Sequence, residues 1–391
     1  MIVSKLANES QHKPLISVIV PSYRHESFLT QRLNTVSHQT YENIEIILLD
    51  DASPDNSGDV LTRFASTCEK VVALHINERN SGLPIHQWVK GLSLAKGEFV
   101  WIAESDDESE PEFLSELLCL LTRNPSAGMA YCDSQVIDEK GHHIAKYDYT
   151  STQYSDNGLW ESDFCMNGRD FVASYMVYRN LIPNVSAVLF RASVLKAFLC
   201  ENQLKYSADW ALYNKILLSH DIAFSCAAMN KFRKHIQTTR WHNKKSYAME
   251  LKEKFALLKS LKYDLALDTR AQSNIASSLG FIFENRHKYK KVEALCKSVS
   301  QLDKAQIETL YLFGANDIAE RVVDTSIAMG IKPVVIDSYK VGQTCKGIDI
   351  SALKRRYLSP SSVVVICSLS HQDAMQTLLE QRGFEGLVLR V

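Results

Sequence analysis

Residues 16–24 read ISVIVPSYR, residues 45–53 read EIILLDDAS and residues 99–108 read FVWIAESDDE. Each stretch contains a run of mainly apolar residues without the regular alternation of apolar and polar positions. Continuous runs of this kind are typical of strands buried on both faces of a parallel sheet. Helix-like segments separate the runs, with Pro84 and Pro111 near the expected helix starts. The pattern predicts a βαβ arrangement and an α/β fold.

The rhythm changes after Pro125. Residues 129–138 (MAYCDSQVID) precede the turn-forming letters EKGHH, which favours two strands joined by a hairpin. Further strands are expected near Val188 and Phe224, with a helix over residues 208–219. We therefore expect the parallel sheet to become mixed in this region.

The chain is long enough for more than one domain. We expect residues 1–245 to form a Rossmann-like mixed-sheet domain and residues 246–304, which have helical spacing, to form a helical connector. Residues 305–391 repeat the strand–helix rhythm and are expected to form a small parallel-sheet, Rossmann-like domain. In this last part, helices are expected over residues 317–329, near Ala352 and over residues 372–381.

The composition limits the classes of function. The 391 residues carry a net charge of −1, so the chain has no broad attraction to nucleic acid, and a nucleic-acid partner is not expected. The N-terminus lacks the apolar centre of a signal peptide, and no apolar stretch is long enough to span a bilayer. We expect a cytoplasmic protein, with peripheral contact at the inner face of the membrane as an alternative. The nine cysteines form no CxxC pair and are expected to be reduced.

Acidic side chains follow two of the apolar runs. Asp50 and Asp51 end the second run, and residues 104–108 (ESDDE) follow the third. Ligands of open parallel sheets bind beyond the carboxyl ends of the strands, so these groups are expected at a ligand site. Crowded carboxylates repel one another unless a cation lies among them, and Mn²⁺ or Mg²⁺ bound together with substrate phosphates meets that need. The alternative is a solvated acidic loop.

Four motifs, in this order, resemble the nucleotide-binding half of family-2 glycosyltransferases with the GT-A fold. They are ISVIVPSYR, LLDDASPDNS, Asn80 with Gly82, and AKGEFVWIAESDDE. The resemblance implies that Pro21, Tyr23 and Asp51 help to hold the base and ribose of a nucleotide-diphosphate sugar donor. On their own, Tyr23 could cap a strand and Asp51 could begin a turn.

The resemblance also implies a metal site. The Asp-x-Asp segment that binds the metal in this family corresponds to Glu104-Ser105-Asp106. Asp106 and the adjacent Asp107 are therefore the leading ligands for Mn²⁺ or Mg²⁺, and Asp106 is expected to lie beside the donor diphosphate. The first acid here is Glu and not Asp, which makes Glu104 the less certain third ligand.

A catalytic base is implied by a third region of resemblance. Residues 206–212 (YSADWAL) resemble the acid-Asp-Trp segment at the start of a helix, where the aspartate is the base of inverting members. Asp209 is the candidate, and it would take the proton from the attacking acceptor hydroxyl. Ala208 replaces the acid that usually precedes it. The alternative is that Asp209 only complements the helix dipole.

Residues 232–241 (FRKHIQTTRW) resemble the Arg-x-His segment that closes many of these domains. Arg233 and His235 are therefore expected to contact the donor diphosphate, and Trp241 could stack on a sugar. Residues 237–241 also fit the Gln-x-x-Arg-Trp pattern of processive synthases. Because those enzymes usually carry membrane spans, we favour addition of a single sugar. The alternative is a solvated basic turn.

Residues 310–321 (LYLFGANDIAER) resemble a Rossmann phosphate-binding turn, with Asp337 at the end of the next strand. Asn316 and Ala319 stand where two of the three glycines are expected. A structural or partner-binding role is therefore favoured over dinucleotide binding. An oxidoreductase or epimerase activity is not expected, because no Tyr-x-x-x-Lys pair is present.

The leading hypothesis is a metal-dependent, inverting glycosyltransferase. It would move a sugar from a nucleotide-diphosphate donor to the hydroxyl of a glycan or lipid-linked acceptor, in surface polysaccharide biosynthesis. The competing hypothesis is a non-catalytic module that binds a sugar nucleotide within a glycan assembly complex. Ala208 and Glu104 are its support.

Overall fold

The computed structural model describes residues 13–150, 158–235, 243–266, 268–353, 359–368 and 370–391. Within them, the chain forms a ten-stranded and a six-stranded sheet. The strands of the larger sheet are β1 (Ile16–Ser22), β2 (Ile44–Asp50), β3 (Val71–Ile76), β4 (Phe99–Ile102), β5 (Glu108–Ser109), β6 (Ala127–Ile137), β7 (His143–Lys146), β8 (Phe164–Met166), β9 (Val188–Arg191) and β10 (Asp221–Arg233). Their order is β3-β2-β1-β4-β9-β6-β10-β5, with β7 beside β6 and β8 beside β10.

Helices connect these strands and cover the sheet. They are α1 (Glu26–Ser37), α2 (Ser57–Thr67), α3 (Pro84–Leu94), α4 (Phe113–Arg123), α5 (Gly168–Phe171), α6 (Ala192–Phe198) and α7 (Ala208–Leu217). Pro84 is the first residue of α3, where its missing N–H costs nothing. Pro111 lies just before α4.

The sheet is buried on both faces, which explains the lack of alternation in the sequence. Ile19, Ile47 and Val100 belong to the apolar cluster on one face. Val18 and Ile46 belong to the cluster on the other. Side chains alternate between the faces of a strand, so both sets of positions must be apolar here.

The predicted change from a parallel to a mixed sheet is confirmed. β1 pairs in parallel with β2 and with β4. β9 runs antiparallel to both β4 and β6. The expected hairpin is the antiparallel pair of β6 and β7, and β10 runs parallel to β6.

Two long helices follow, α8 (Asn243–Asp264) and α9 (Thr269–Ser300). They fit the helical spacing of the sequence, and both pack on the first domain. Leu258 and Leu261 of α8 and Ile275 of α9 lie in the same apolar cluster as Tyr213 of α7. No helix in the described ranges has the length and apolar character needed to cross a bilayer. The division at residues 245 and 304 stays a prediction.

The smaller sheet contains β11 (Leu310–Phe313), β12 (Val334–Ile336), β13 (Thr344–Cys345), β14 (Ile348–Ser351), β15 (Val363–Ile366) and β16 (Leu387–Arg390), with helices α10 (Asp317–Ala328) and α11 (Gln372–Gln381). Its order is β13-β14-β12-β11-β15-β16. The helix expected near Ala352 is wrong for the described residues up to Leu353, which follow strand β14. Ile348 and Ile350 are buried while Asp349 is exposed, a period of two that indicates a strand.

The two sheets share one apolar cluster. This cluster contains Leu312 of β11 and Cys345 of β13 from the smaller sheet. It also contains Val136, Ile144 and Ala145 from the β6–β7 hairpin of the larger sheet. The β6–β7 hairpin of the first domain is therefore part of the core of the C-terminal domain.

Candidate active site

The carboxyl ends of β1, β2 and β4 meet at one edge of the larger sheet. Ser22 of β1 is level with Asp50 of β2, and Ile19 of β1 is level with Ile102 of β4. The acidic loop, residues 104–108, begins immediately beyond β4. The predicted strand-end groups are therefore neighbours.

Three side chains from three elements meet at the acidic loop. The Nε2 atom of His235 lies 3.0 Å from Oδ2 of Asp106. His25, at the start of α1, places its ring 5.5 Å from the ring of His235, and its Nδ1 lies 2.8 Å from Oγ of Ser105. Ligand atoms of His25, Asp106 and His235 all lie within 4.8 Å of one another. We call this group the His–Asp–His cluster.

The chemistry of the His–Asp–His cluster fits a divalent metal ion. Two imidazole nitrogens and a carboxylate oxygen suit Mn²⁺ better than Mg²⁺, which prefers oxygen ligands. Burial lowers the pKa of His25, which favours the neutral ring that a metal requires. Burial opposes ionisation of Asp106, but His25 and His235 together hold the pKa of its carboxyl below the usual range. Nδ1 of His235 is buried with no hydrogen-bond partner among the described residues.

Glu104 and Asp107 point to other partners. Oε1 of Glu104 accepts a hydrogen bond from Nε1 of Trp88 at 2.7 Å. Oδ2 of Asp107 accepts one from Nδ2 of Asn184 at 2.6 Å and lies 3.9 Å from Nη2 of Arg32. Burial and the charge of Asp106 raise the pKa of Glu104 to about 8 and that of Asp107 to about 7. Neither belongs to the His–Asp–His cluster, and their metal role stays a prediction.

Arg233 is fully buried and holds the acidic loop from beneath. Its Nε donates to the Asp106 carbonyl oxygen at 2.6 Å, and its Nη1 donates to the Asp138 carbonyl oxygen at 2.7 Å. Nη2 donates to Gln31 at 3.1 Å and to the Glu108 carboxylate. With 0% of its side chain exposed, Arg233 positions Asp106, and the predicted contact with a diphosphate stays a prediction.

Asp51 organises the loop beyond β2. Its Oδ1 accepts hydrogen bonds from Asn77 at 2.6 Å, Gln87 at 2.8 Å and the Ser81 backbone N–H at 2.9 Å. Its Oδ2 accepts one from Oγ of Ser81 at 2.7 Å. The carboxylate thus joins the end of β2 to the segment that contains Asn77, Ser81 and Gln87. A residue that only begins a turn, the alternative given for Asp51, would not need hydrogen bonds to residues 77–87.

Two non-glycine residues beside this edge adopt left-handed backbone conformations. Arg24 has a φ of 60° and Ala52 a φ of 56°. Backbone strain of this kind concentrates at ligand sites. The two loops are joined through Ser53, whose Oγ accepts the Arg24 N–H at 3.0 Å. Next to Arg24, Tyr23 is 40% exposed, while Pro21 is buried. The predicted contact of both residues with the base and ribose stays a prediction.

Asp209 lies in the first turn of α7. Its Oδ2 accepts a hydrogen bond from Nδ2 of Asn180 at 3.0 Å, and its Oδ1 accepts the Trp210 N–H at 2.7 Å. Asn184, four residues beyond Asn180, bonds to Asp107. Residues 180–184 therefore bring Asp209 toward the acidic loop, because four residues span at most about 14 Å. The sequence interpretation had no signal for either asparagine.

The backbone before α7 is held by α8. Oε1 of Glu253 accepts the Lys205 N–H at 2.8 Å, and Oε2 accepts the N–H groups of Tyr206 at 2.8 Å and Ser207 at 2.9 Å. A carboxylate at this place satisfies amides that precede a helix and would otherwise be buried without partners. The helix that carries Asp209 thus begins at a point fixed by α8.

The Gln-x-x-Arg-Trp letters and the Rossmann-like turn are the last two predicted features. Residues 236–242, which include the Gln-x-x-Arg-Trp letters and Trp241, lie outside the described residues. At the Rossmann-like turn, Oδ1 of Asn316 accepts the N–H groups of Ile318 and Ala319 at 2.9 and 3.2 Å. Asp337 accepts the Ala315 N–H at 2.8 Å. The chain itself occupies the amides that a phosphate would need.

Known proteins resemble the first domain in sequence. Residues 17–171 match the family model described as Glycosyl transferase family 2. Glycosyltransferase GlyG of Streptococcus pneumoniae serotype 4 is 30% identical over 168 residues, 43% of this chain and 49% of that protein. The putative teichuronic acid biosynthesis glycosyltransferase TuaG of Bacillus subtilis is 32% identical over 114 residues, 27% of this chain and 44% of that protein. The chain thus spans about half the length of these relatives.

The fold has counterparts among solved structures. The S. aureus TarS fragment 1–349 in complex with UDP-GlcNAc matches with a TM-score of 0.53 at 16% identity, covering 79% of each chain. The same fragment with UDP matches with a TM-score of 0.50 at 17% identity, covering 73% of this chain and 80% of that one. These matches confirm the GT-A architecture expected from the sequence.

Proposed function

We propose that the protein, whose residues 17–171 match the glycosyl transferase family 2 model, moves a sugar from a nucleotide-diphosphate donor to an acceptor hydroxyl with inversion. The observation that carries the proposal is the grouping of His25, Asp106 and His235 within 4.8 Å at the strand ends. A cluster of this composition at the carboxyl edge of a sheet is suited to a metal-bound diphosphate.

The donor would lie across the ends of β1, β2 and β4. The exposed ring of Tyr23 offers a face on which the base can stack. Asp51 and Pro21 would shape the pocket for the base and ribose. The loops beyond β1 and β2, in which Arg24 and Ala52 have left-handed backbones, would lie on either side of the donor.

A divalent metal would be held by His25, Asp106 and His235, and when bound it supplies positive charge against the departing diphosphate. Arg233 would act by fixing the backbone of Asp106. Asp107 and Glu104, whose carboxyls are held by Asn184 and Trp88, would support the same loop from behind.

Asp209 would accept the proton of the acceptor hydroxyl. Its Oδ2 is oriented by Asn180, and residues 180–184 bring it toward the acidic loop. A base that acts on the face of the sugar opposite to the leaving group produces inversion. The named role of TuaG in teichuronic acid biosynthesis supports a polysaccharide as the acceptor, and the complex of TarS with UDP-GlcNAc supports a UDP-sugar as the donor.

The test is turnover of a panel of UDP-, GDP-, CDP- and dTDP-sugars with Mn²⁺ or Mg²⁺ and candidate glycan acceptors. Asp209→Asn is expected to lower kcat by about a hundred- to ten-thousand-fold while donor binding persists. Asp106→Asn is expected to abolish metal-dependent donor binding. Asp170→Asn, which breaks an exposed ion pair with Arg270, is the matched control.

Two outcomes would replace the proposal. If a donor binds with metal but none is turned over with any acceptor, the chain is a sugar-nucleotide-binding module. If no donor binds, the assignment of the strand-end site fails.

A further inference from the structure

An ion-pair group joins the C-terminal domain to Lys234, the residue that precedes His235 of the His–Asp–His cluster. Nζ of Lys234 donates to Oδ1 of Asp324 on α10, and Nζ of Lys346 lies 3.6 Å from Oδ2 of the same carboxylate. Lys234 and Lys346 are 18% and 24% exposed, and Asp324 is 40% exposed. One carboxylate of the C-terminal domain therefore binds a lysine of each domain.

Lys234 occupies a sensitive position in the chain. The residue before it, Arg233, holds the Asp106 carbonyl oxygen, and the residue after it, His235, contacts the Asp106 carboxylate. The Lys234 N–H donates to the Ile137 carbonyl oxygen at 2.9 Å. Any displacement of Lys234 would move both neighbours relative to Asp106.

The surroundings of the ion pair are well packed. Ile137 ends β6, and the β6–β7 hairpin contributes Val136, Ile144 and Ala145 to the apolar cluster of the C-terminal domain. Arg233 ends β10 opposite Ile137 of this hairpin, so residues 233–235 lie beside a hairpin that packs against the C-terminal domain, and Lys234 also binds Asp324.

A nucleotide-binding role explains the C-terminal domain less well. Asn316 takes the amides at the start of α10, and Asp337 accepts the N–H groups of Ala315, Tyr339 and Lys340. The groups that would bind a phosphate and a ribose are engaged within the chain.

We propose that Asp324 is a positioning residue, which holds Lys234 so that His235 stays in contact with Asp106. The C-terminal domain then acts as a brace for the His–Asp–His cluster. The effect of Asp324 on metal binding rests on the proposed function. Its effect on the stability of the backbone hydrogen bonds of residues 233–235 does not.

The first arm of the test needs no metal or donor. Amide hydrogen exchange is measured on the full chain for the peptide that contains Arg233, Lys234 and His235. Asp324→Asn is expected to speed exchange of this peptide, because the Arg233 N–H bonds to Asp107 and the Lys234 N–H bonds to Ile137. Asp324→Glu, which keeps the charge, is expected to restore slow exchange.

The second arm measures Mn²⁺ affinity of the full chain by calorimetry. Asp324→Asn is expected to weaken Mn²⁺ binding about tenfold, which is the lower end of the effect of outer partners on a metal site. The control is Asp373→Asn, which breaks the exposed Arg390–Asp373 pair of the same domain and is expected to change neither readout.

The two arms separate two kinds of failure. Wild-type protein that binds no Mn²⁺ refutes the metal in the proposed function, and the exchange arm still decides the role of Asp324. Unchanged exchange in Asp324→Asn overturns the positioning role. Equal changes in Asp324→Asn and Asp373→Asn overturn it as well.

Discussion

The carboxylate of Glu253 accepts the backbone N–H of Ser207 at 2.9 Å, immediately before the helix that carries Asp209. Glu253 is only 8% exposed, and its two carboxylate oxygens accept the N–H groups of three consecutive residues, 205–207. A residue of the helix α8 therefore determines where the candidate base stands.

Glu253→Gln is expected to lower the free energy of unfolding by about 1–3 kcal/mol. The amide group has one acceptor atom fewer, which leaves at least one buried N–H of residues 205–207 without its partner. Loss of the fixed helix start should also reduce kcat. Urea unfolding and donor turnover measure the two effects. Glu385→Gln, at an exposed site, is the control, and equal stability of both variants would contradict the prediction.

Asn180→Ala is expected to reduce kcat about tenfold and to leave the KM for the donor unchanged. Asp209 loses the bond that orients its Oδ2, and small displacements of a reacting group are costly. Asn202→Ala removes a similar local bond, from the Leu204 N–H to Oδ1, away from Asp209. A rise in KM with unchanged kcat would place Asn180 in the donor pocket instead.

His25→Gln is expected to weaken Mn²⁺ binding by at least about tenfold, because even outer partners of a metal site have effects of that size. Removal of metal with a chelator should stop turnover in the wild type, and Mn²⁺ should restore it. Calorimetry and activity assays measure these effects. The control is His142→Gln, whose side chain is 73% exposed. Unchanged affinity in His25→Gln would leave only Asp106 and His235 as ligands.

Asp51→Asn is expected to lower the free energy of unfolding by about 1–3 kcal/mol and to raise the KM for the donor. The new NH₂ group would face donors that now bond to the carboxylate, so buried N–H groups lose partners. Thermal unfolding and donor titration test both effects. Asp349→Asn, at an exposed position on β14, should alter neither. A stable variant with normal KM would remove Asp51 from the site.

Lys254 is expected to make the free energy of unfolding vary with pH in the alkaline range. Burial, with the charges of Arg321 and Arg179, lowers the pKa of Lys254 from 10.5 to about 8, against the opposing charge of Glu250. Between these two values the unfolded chain binds more protons than the folded chain, so this lysine makes the free energy of unfolding rise as pH increases from about 8 to about 10.5.

The measurement compares urea unfolding of the wild type and Lys254→Met across that pH range. The wild type should gain stability relative to the variant as pH rises. Lys259→Met, at an exposed position of the same helix, should show a pH profile parallel to that of the wild type. If the pH profile of Lys254→Met were parallel to that of the wild type, the pKa of Lys254 would be the same in the folded and the unfolded chain.

The sequence was sufficient to predict the neighbourhood of the site, because parallel strands place their carboxyl ends at one edge. The strand ends indicated Asp50, Asp51 and residues 104–108 as a group, and the resemblance to family-2 glycosyltransferases selected Asp51 and Asp106 from it. The burial of Arg233 could not be foreseen, since an arginine between Phe232 and Lys234 looks the same in the sequence whether its side chain faces solvent or the acidic loop. His25 directly follows the PSYR motif, and its position before α1 was the available signal.

Contacts between residues far apart in the sequence account for the other differences between the predictions and the structure. Asn180, Asn184 and Glu253 act on residues that are 29 to 77 positions away, and local patterns carry no information on such pairs. The short strand β14 was not predicted, because four residues offer little periodicity. Its pairing with β12 on the second sheet determined the outcome.

The shared cluster around Val136, Ile144 and Ala145 limits how this protein can be recombined with its relatives. A chain cut at residue 304 would leave an apolar hairpin facing water beside the acidic loop, which favours self-association. A C-terminal domain transplanted from a relative would have to match that hairpin or bring its own. The natural unit of exchange is therefore the C-terminal domain together with residues 127–146, although more than 150 positions of sequence separate the two.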